Sequence, residues 1–237
     1  MKSMRKGKNG FYPRGLEITR LDTFLDAAFA FATTMIVISI GDIPGSYDEL
    51  MDALKGIPAF VASFASILTF WMGHRKWSRA YGIENQFTTV VSLGLIFVLL
   101  VFVYPLKLVF TALFAWISNG WIRSDFVLRS SSELASLFVI YGLGFAAMAG
   151  MMALLYFKAL RANLEPELDD IETVKTKSEI NSWVVLALTG LASAVFAMAM
   201  PVRLAVLAGF VYATLPITMP VVSTMYKRKE RALSSNY

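Results

Sequence analysis

Two carboxylates, Asp22 and Asp26, stand at the start of a long apolar stretch that runs from Leu21 to Ile40. Four residues apart on a helix, they lie on one face. Acids in an apolar helix face a bundle interior or a water path and mark an ion or proton route by default. Metal chemistry has little to work with, because the chain holds no cysteine and a single histidine, His74. Thiolate nucleophiles, disulfide frameworks and histidine-rich metal centres are therefore excluded. There is no Walker loop, HExxH or Gly-x-Ser-x-Gly. The stretch Gly142-Leu143-Gly144-Phe145-Ala146-Ala147 loosely matches a dinucleotide fingerprint, but it lies inside an apolar run rather than after a strand. Gly142, Ala146 and Gly150 read instead as small residues four apart that let two membrane helices approach closely. Apart from Asp22 and Asp26, no acid or base falls within the apolar runs, so the chain is not expected to be an enzyme.

The elements that carry these residues follow from composition. Of 237 residues, 57% are apolar and 16% charged, against about 45–50% and 25% for soluble domains. Six apolar runs stand out: Leu21–Ile40, Gly56–Gly73, Phe87–Leu106, Leu134–Phe157, Ser182–Met200 and Leu204–Tyr226. Each is near the roughly 20 residues that a helix needs to cross the hydrocarbon layer. Lipid offers no hydrogen bonds, so each run must be helical, and the alternating strands of a membrane barrel are absent. The first run is too long, and too acidic at Asp26, for a cleaved signal peptide. Pro216 and Pro220 predict a kink in the last helix. The acidic connection from Arg161 to Glu179 predicts one short helix outside the membrane.

Charge placement sets orientation. Seventeen basic residues fall in the N-terminus, the second and fourth connections and the tail, against five on the other side. That asymmetry places both termini in the cytoplasm and makes the net charge of +5 a topology signal rather than a nucleic-acid footprint. The expected organisation is a flexible basic N-terminus (1–15), a six-helix membrane domain (16–226) and a basic tail (227–237).

At 100° per residue, the first helix carries two stripes. One holds Asp22, Asp26, Phe29 and Thr33. The other holds Ala27, Phe31, Thr34 and Ile38, mostly apolar with one hydroxyl layer. Asp26 and Phe31 lie about 140° apart around the axis.

The run from Arg20 to Ala30 reads Arg-Leu-Asp-Thr-Phe-Leu-Asp-Ala-Ala-Phe-Ala. It resembles the Arg-x-x-x-Phe-Ser-Asp signature that opens the first helix of the transmembrane protein 175 family of potassium channels. Trp71-Met72-Gly73-His74 is similar to that family's Trp-x-x-His at the end of the second span, and Tyr104-Pro105 resembles the end of its third. Two positions depart from the pattern: Leu25 replaces a serine, and Phe31 stands where isoleucine or leucine is usual. The resemblance implies a potassium-selective channel of six helices per subunit, assembled as a homotetramer with the first helix lining a central pore and no re-entrant filter loop. It implies a hydrophobic constriction at Phe31, further pore layers at Thr34 and Ile38, and a supporting network of Arg20, Phe24, Asp26, Trp71 and His74. Permeant potassium is the cargo, and no cofactor is expected. One six-helix unit suggests the plasma membrane of a prokaryote. A small secondary or proton-coupled cation transporter is the alternative, hinted at by the proline-broken last helix.

Overall fold

The computed structural model describes residues 6–7, 10–39, 43–122, 130–201, 204 and 207–234. Ile40, and six of the basic residues counted for orientation (Lys2, Arg5, Lys8, Arg123, Arg129 and Arg203), lie outside them. The order is α1 (Arg20–Ile38), α2 (Tyr47–Leu54), α3 (Ile57–Tyr81), α4 (Gln86–Ile117), α5 (Ser131–Leu160), α6 (Asp170–Ala199), α7 (Leu207–Phe210), a 3-10 turn (Val211–Thr214) and α8 (Leu215–Ser234). Six of these stretches are long and apolar enough to cross a membrane, the last running from α7 through α8. The chain is an all-helical membrane protein.

Helix starts are written locally. Thr19 and Asp22 form a reciprocal capping box on α1, Asn85 and Thr88 one on α4, and Asp169 and Glu172 one on α6. Each satisfies amide donors that a helix start leaves open. Helix α3 stops at Gly82, whose φ of 59° is the left-handed conformation that glycine adopts without steric cost.

Several helices outrun the apolar runs. Helix α3 continues eight residues past Gly73, and α4 reaches Ile117 at 32 residues, about 48 Å. Hydropathy marks only the length solvated by lipid, whereas backbone hydrogen bonding continues into the headgroups and water. The same reason corrects the expected short helix between Arg161 and Glu179: Asp170 onward is the beginning of the continuous 30-residue α6. Helix α2 lies outside the apolar runs as a short segment capped by Ser46. In the last span the irregularity falls at the 3-10 turn, Val211–Thr214, ahead of both prolines. Pro216 sits in the first turn of α8, where a missing amide costs nothing, and Pro220 lies inside the helix.

Helix α1 packs on α3 and α4, α4 packs on α5, and α5 packs along α6, whose far side carries α8. The core runs through this stack: Leu25, Phe29, Ala32 and Ile36 from α1, Ile67 and Phe70 from α3, Leu95, Leu99 and Phe102 from α4, Met148 and Met152 from α5. At the α5–α6 crossing the backbones meet. A Cβ on Gly142 would lie 2.6 Å from the Gly190 carbonyl oxygen, and one on Gly190 would lie 2.7 Å from that of Gly142. Gly142 and Ala146 thus serve the close approach, but a Cβ on Gly150 would meet nothing within 4 Å, so Gly150 is not part of it.

Candidate functional site

Helix α1 presents two opposite faces. Leu25, Phe29, Ala32 and Ile36, spaced four, three and four, are buried against α3 and α4. Ala27, Phe31, Thr34 and Ile38 are exposed, with Phe31 55% and Ile38 63% accessible. Phe24 is exposed too. Leu25, one of the two departures from the family signature, is 2% accessible and fills the inner face, where an apolar side chain fits better than a hydroxyl. The Thr34 hydroxyl donates to the Ala30 carbonyl at 2.9 Å. Its proton is therefore engaged, and its oxygen lone pairs are left on the open face.

The acids turn to α3. Asp22 closes the Thr19 capping box and also accepts from the Ser78 hydroxyl at 2.8 Å. Asp26 accepts from the Trp71 indole at 2.7 Å. The Arg75 guanidinium lies over the Trp71 ring, 5.2 Å from its centroid, so the indole is held between a carboxylate and a cation. His74 is buried and bonds through Nε2 to the Ser92 hydroxyl of α4 at 3.0 Å. Asp22, Asp26, Trp71, His74 and Ser78 all border one small cavity of about 50 Å³ between α1, α3 and the segment before α1. Of the expected network, Asp26, Trp71 and His74 are thus brought together. Arg20 is exposed and makes no ion pair or hydrogen bond through its side chain among the described residues. Phe24 lies on the exposed side, away from the acid–indole contact.

Ser78 and Ser92 join these residues although the motifs did not include them, and Lys107 meets the opposite end of α1. Ser92 carried no distinguishing signal, since Thr88 and Thr89 stand in the same run. Lys107 of α4 donates to the carbonyl of Ser39, the C-cap of α1. Helix α1 has no basic residue in its last turn, so α4 supplies the cation that its negative end favours.

Residues before α1 complete the support. Phe11 is buried edge-on against Tyr81. The Arg14 guanidinium makes a two-pronged pair with Glu172, at 3.0 and 2.9 Å, and both side chains are almost fully buried. Arg14 also donates to the carbonyls of Ala80, at 3.2 Å, and Pro166, at 2.9 Å. One residue therefore joins the end of α3, the α5–α6 connection and the start of α6. Residues 10–15, expected to belong to a flexible segment, lie docked here. This end of the bundle also holds the α8 terminus, through the Lys175–Glu230 pair at 3.1 Å and the Asn181–Tyr226 bond at 2.6 Å. Among the described residues, no group of three or more His, Asp or Glu side chains is placed to hold a metal ion.

Comparison with known proteins adds three findings. The sequence profile of the family described as endosomal/lysosomal potassium channel TMEM175 matches residues 20–105, which hold α1, α2, α3 and most of α4. A protein of Marivirga tractuosa described as a potassium channel is 31% identical over 230 residues, covering 93% of this chain and 92% of that one. The crystal structure of a variant of the potassium channel MtTMEM175, bound to a nanobody fusion, superimposes with a TM-score of 0.79 at 30% identity, over 94% of this chain and all of the other.

Proposed function

We propose, from the premise that the chain belongs to the TMEM175 family, that it is a potassium channel in which four copies of α1 surround a pore. Family membership places the chain among channels rather than enzymes. One observation carries the assembly: Asp26 lies within the first span yet is exposed on the outside of the single subunit. A carboxylate facing acyl chains costs several kcal/mol in insertion experiments, roughly 2.5–3.5 at mid-membrane and less toward the surface. A second copy of the chain, or a water path, must therefore cover that side.

With four subunits around one axis, Phe31 rings form the narrowest apolar neck, and such a neck closes by losing its water. Thr34 oxygens and the Ile38 layer follow along the same face. Opening widens the neck by tilting or rotating α1 on its α3 and α4 supports. A potassium ion gives up hydration water more readily than sodium, so a tight neck favours it. Asp26 with Trp71 holds α1 on α3, and His74 with Ser92 ties α3 to α4 behind it. The basic end of the bundle, with both termini, faces the cytoplasm of a prokaryotic cell.

Reconstitution into liposomes with opposed potassium and sodium gradients tests this reading. The expected result is a reversal potential that follows the potassium gradient without saturating flux. Saturable, gradient-coupled uptake would identify a carrier instead.

A further inference from the structure

At the end of the bundle that holds Arg14, an open cleft of about 610 Å³ lies between the α3–α4 turn and the end of α5. That is within the roughly 300–1,000 Å³ of small-ligand sites. Its walls carry Lys158, Arg161, Asn85 and Asn163, with Arg14 at the back. Arg14 is already neutralised by Glu172. Lys158 and Arg161 are not: neither forms an ion pair among the described residues, and Glu165 is the single carboxylate on the wall. The cleft also borders the start of α4, the positive end of that helix's dipole, which favours negative charge.

The position says what kind of anion. The cleft lies where three spanning helices end: α3 at Tyr81, α4 at Gln86 and α5 at Leu160. That is the depth of lipid headgroups. Lys158 lies over the Phe87 ring at 5.9 Å and Arg161 over the Phe157 ring at 4.2 Å, so both cations sit on aromatic rings at the edge of the bilayer. Toward the membrane interior, α4 leaves Phe87 and Val90 exposed and α5 leaves Leu154 and Phe157. A polar cationic cleft that opens onto an apolar strip suits a molecule with an anionic head and acyl chains better than a free ion.

We propose that this cleft binds the phosphodiester headgroup of an anionic glycerophospholipid, with Lys158 and Arg161 as its counter-charges and the acyl chains along α4 and α5. The inference is independent of conduction.

Native mass spectrometry of the purified full chain, titrated with phosphatidylglycerol or phosphatidylcholine, is the test. The wild type is expected to retain phosphatidylglycerol in preference. Loss is roughly five-fold per basic residue removed at a membrane surface, so Arg161→Gln should weaken it about five-fold and the Lys158→Gln, Arg161→Gln pair roughly 25-fold. Phosphatidylcholine retention should stay as it is, as should phosphatidylglycerol retention in Lys227→Gln, Lys229→Gln at the tail. Arg161 is exposed, so the single variant decides the matter if the pair does not fold. Equal phosphatidylglycerol retention in wild type and Arg161→Gln would overturn the proposal. So would equal loss in the tail variant, or full displacement of the lipid by millimolar inorganic phosphate, which would make the cleft a site for a soluble anion.

Discussion

Phe31 and Asp26 sit five residues apart on α1 and have opposite requirements. Phe31 faces out of the subunit and lies outside its buried core. Its truncation should therefore leave each subunit's fold alone and act on the pore. Phe31→Ala is expected to raise single-channel conductance and move the reversal potential under potassium–sodium gradients toward zero, with unchanged thermal stability of the purified protein. Bilayer recording with a melting curve checks both halves. Asp26 bonds to Trp71 across two helices. A hydrogen bond to a charged group contributes about 1.5–3 kcal/mol. Asp26→Ala is expected to lose that stabilisation and impair assembly or opening, while channels that still conduct keep the wild-type preference for potassium. Size-exclusion mass analysis beside reversal potentials separates the two effects.

At the scale of elements, the α5–α6 crossing depends on absent side chains. Leucine at position 142 would drive into the Gly190 carbonyl and the backbone of α6. Overpacking of this kind costs about 1–3 kcal/mol. Gly142→Leu is expected to lower the melting temperature, whereas Gly150→Ala, with open space around it, should be neutral or slightly stabilising because alanine is the better helix former. Parallel melts of the two variants test the distinction. Both glycines belong to the same four-residue pattern. The pattern marks a helix that can pack closely, but the crossing point depends on where α6 lies.

At the scale of the molecule, the segment before α1 ties the pore helix to the far half of the bundle. Arg14 and Glu172 are nearly inaccessible, and removing one partner of a buried pair costs about 3–5 kcal/mol. Arg14→Met should lower the melting temperature by on the order of 10 °C. Adding Glu172→Gln to it should restore part of the loss, because the stranded charge is then gone. Nearer the N-terminus, Lys6 bonds to Asp169. Burial pushes the Asp169 carboxyl up, but Lys6 and the amides of Glu172 and Ile171 hold it below its ordinary value. A depressed carboxylate contributes stability above its unfolded value and loses it as pH falls through the folded one. Limited proteolysis should therefore cut the N-terminal segment faster below the usual carboxylate range than at neutral pH. Equal cutting rates would rule out this anchor.

The sequence by itself determined the six spans, the outward stripe of α1 (Ala27, Phe31, Thr34 and Ile38) and the family, because lipid forces helix on any apolar run and a 3.6-residue period then sorts side chains by face; the buried face, Leu25, Phe29, Ala32 and Ile36, differs from the acid stripe read beside it. It also carried Trp71 and His74, through a motif of short spacing. Only the tertiary structure decided which groups meet: Asp26 with Trp71, His74 with Ser92, Lys107 with Ser39, and Arg14 with Glu172 across 158 residues of chain. No periodicity carries such pairings, since each depends on how two helices cross. The same is true of Arg20, which the motif grouped with Asp26 but which α1's rotation leaves facing outward, and of residues 10–15, which read as part of a flexible basic terminus until Arg14 is found paired with Glu172.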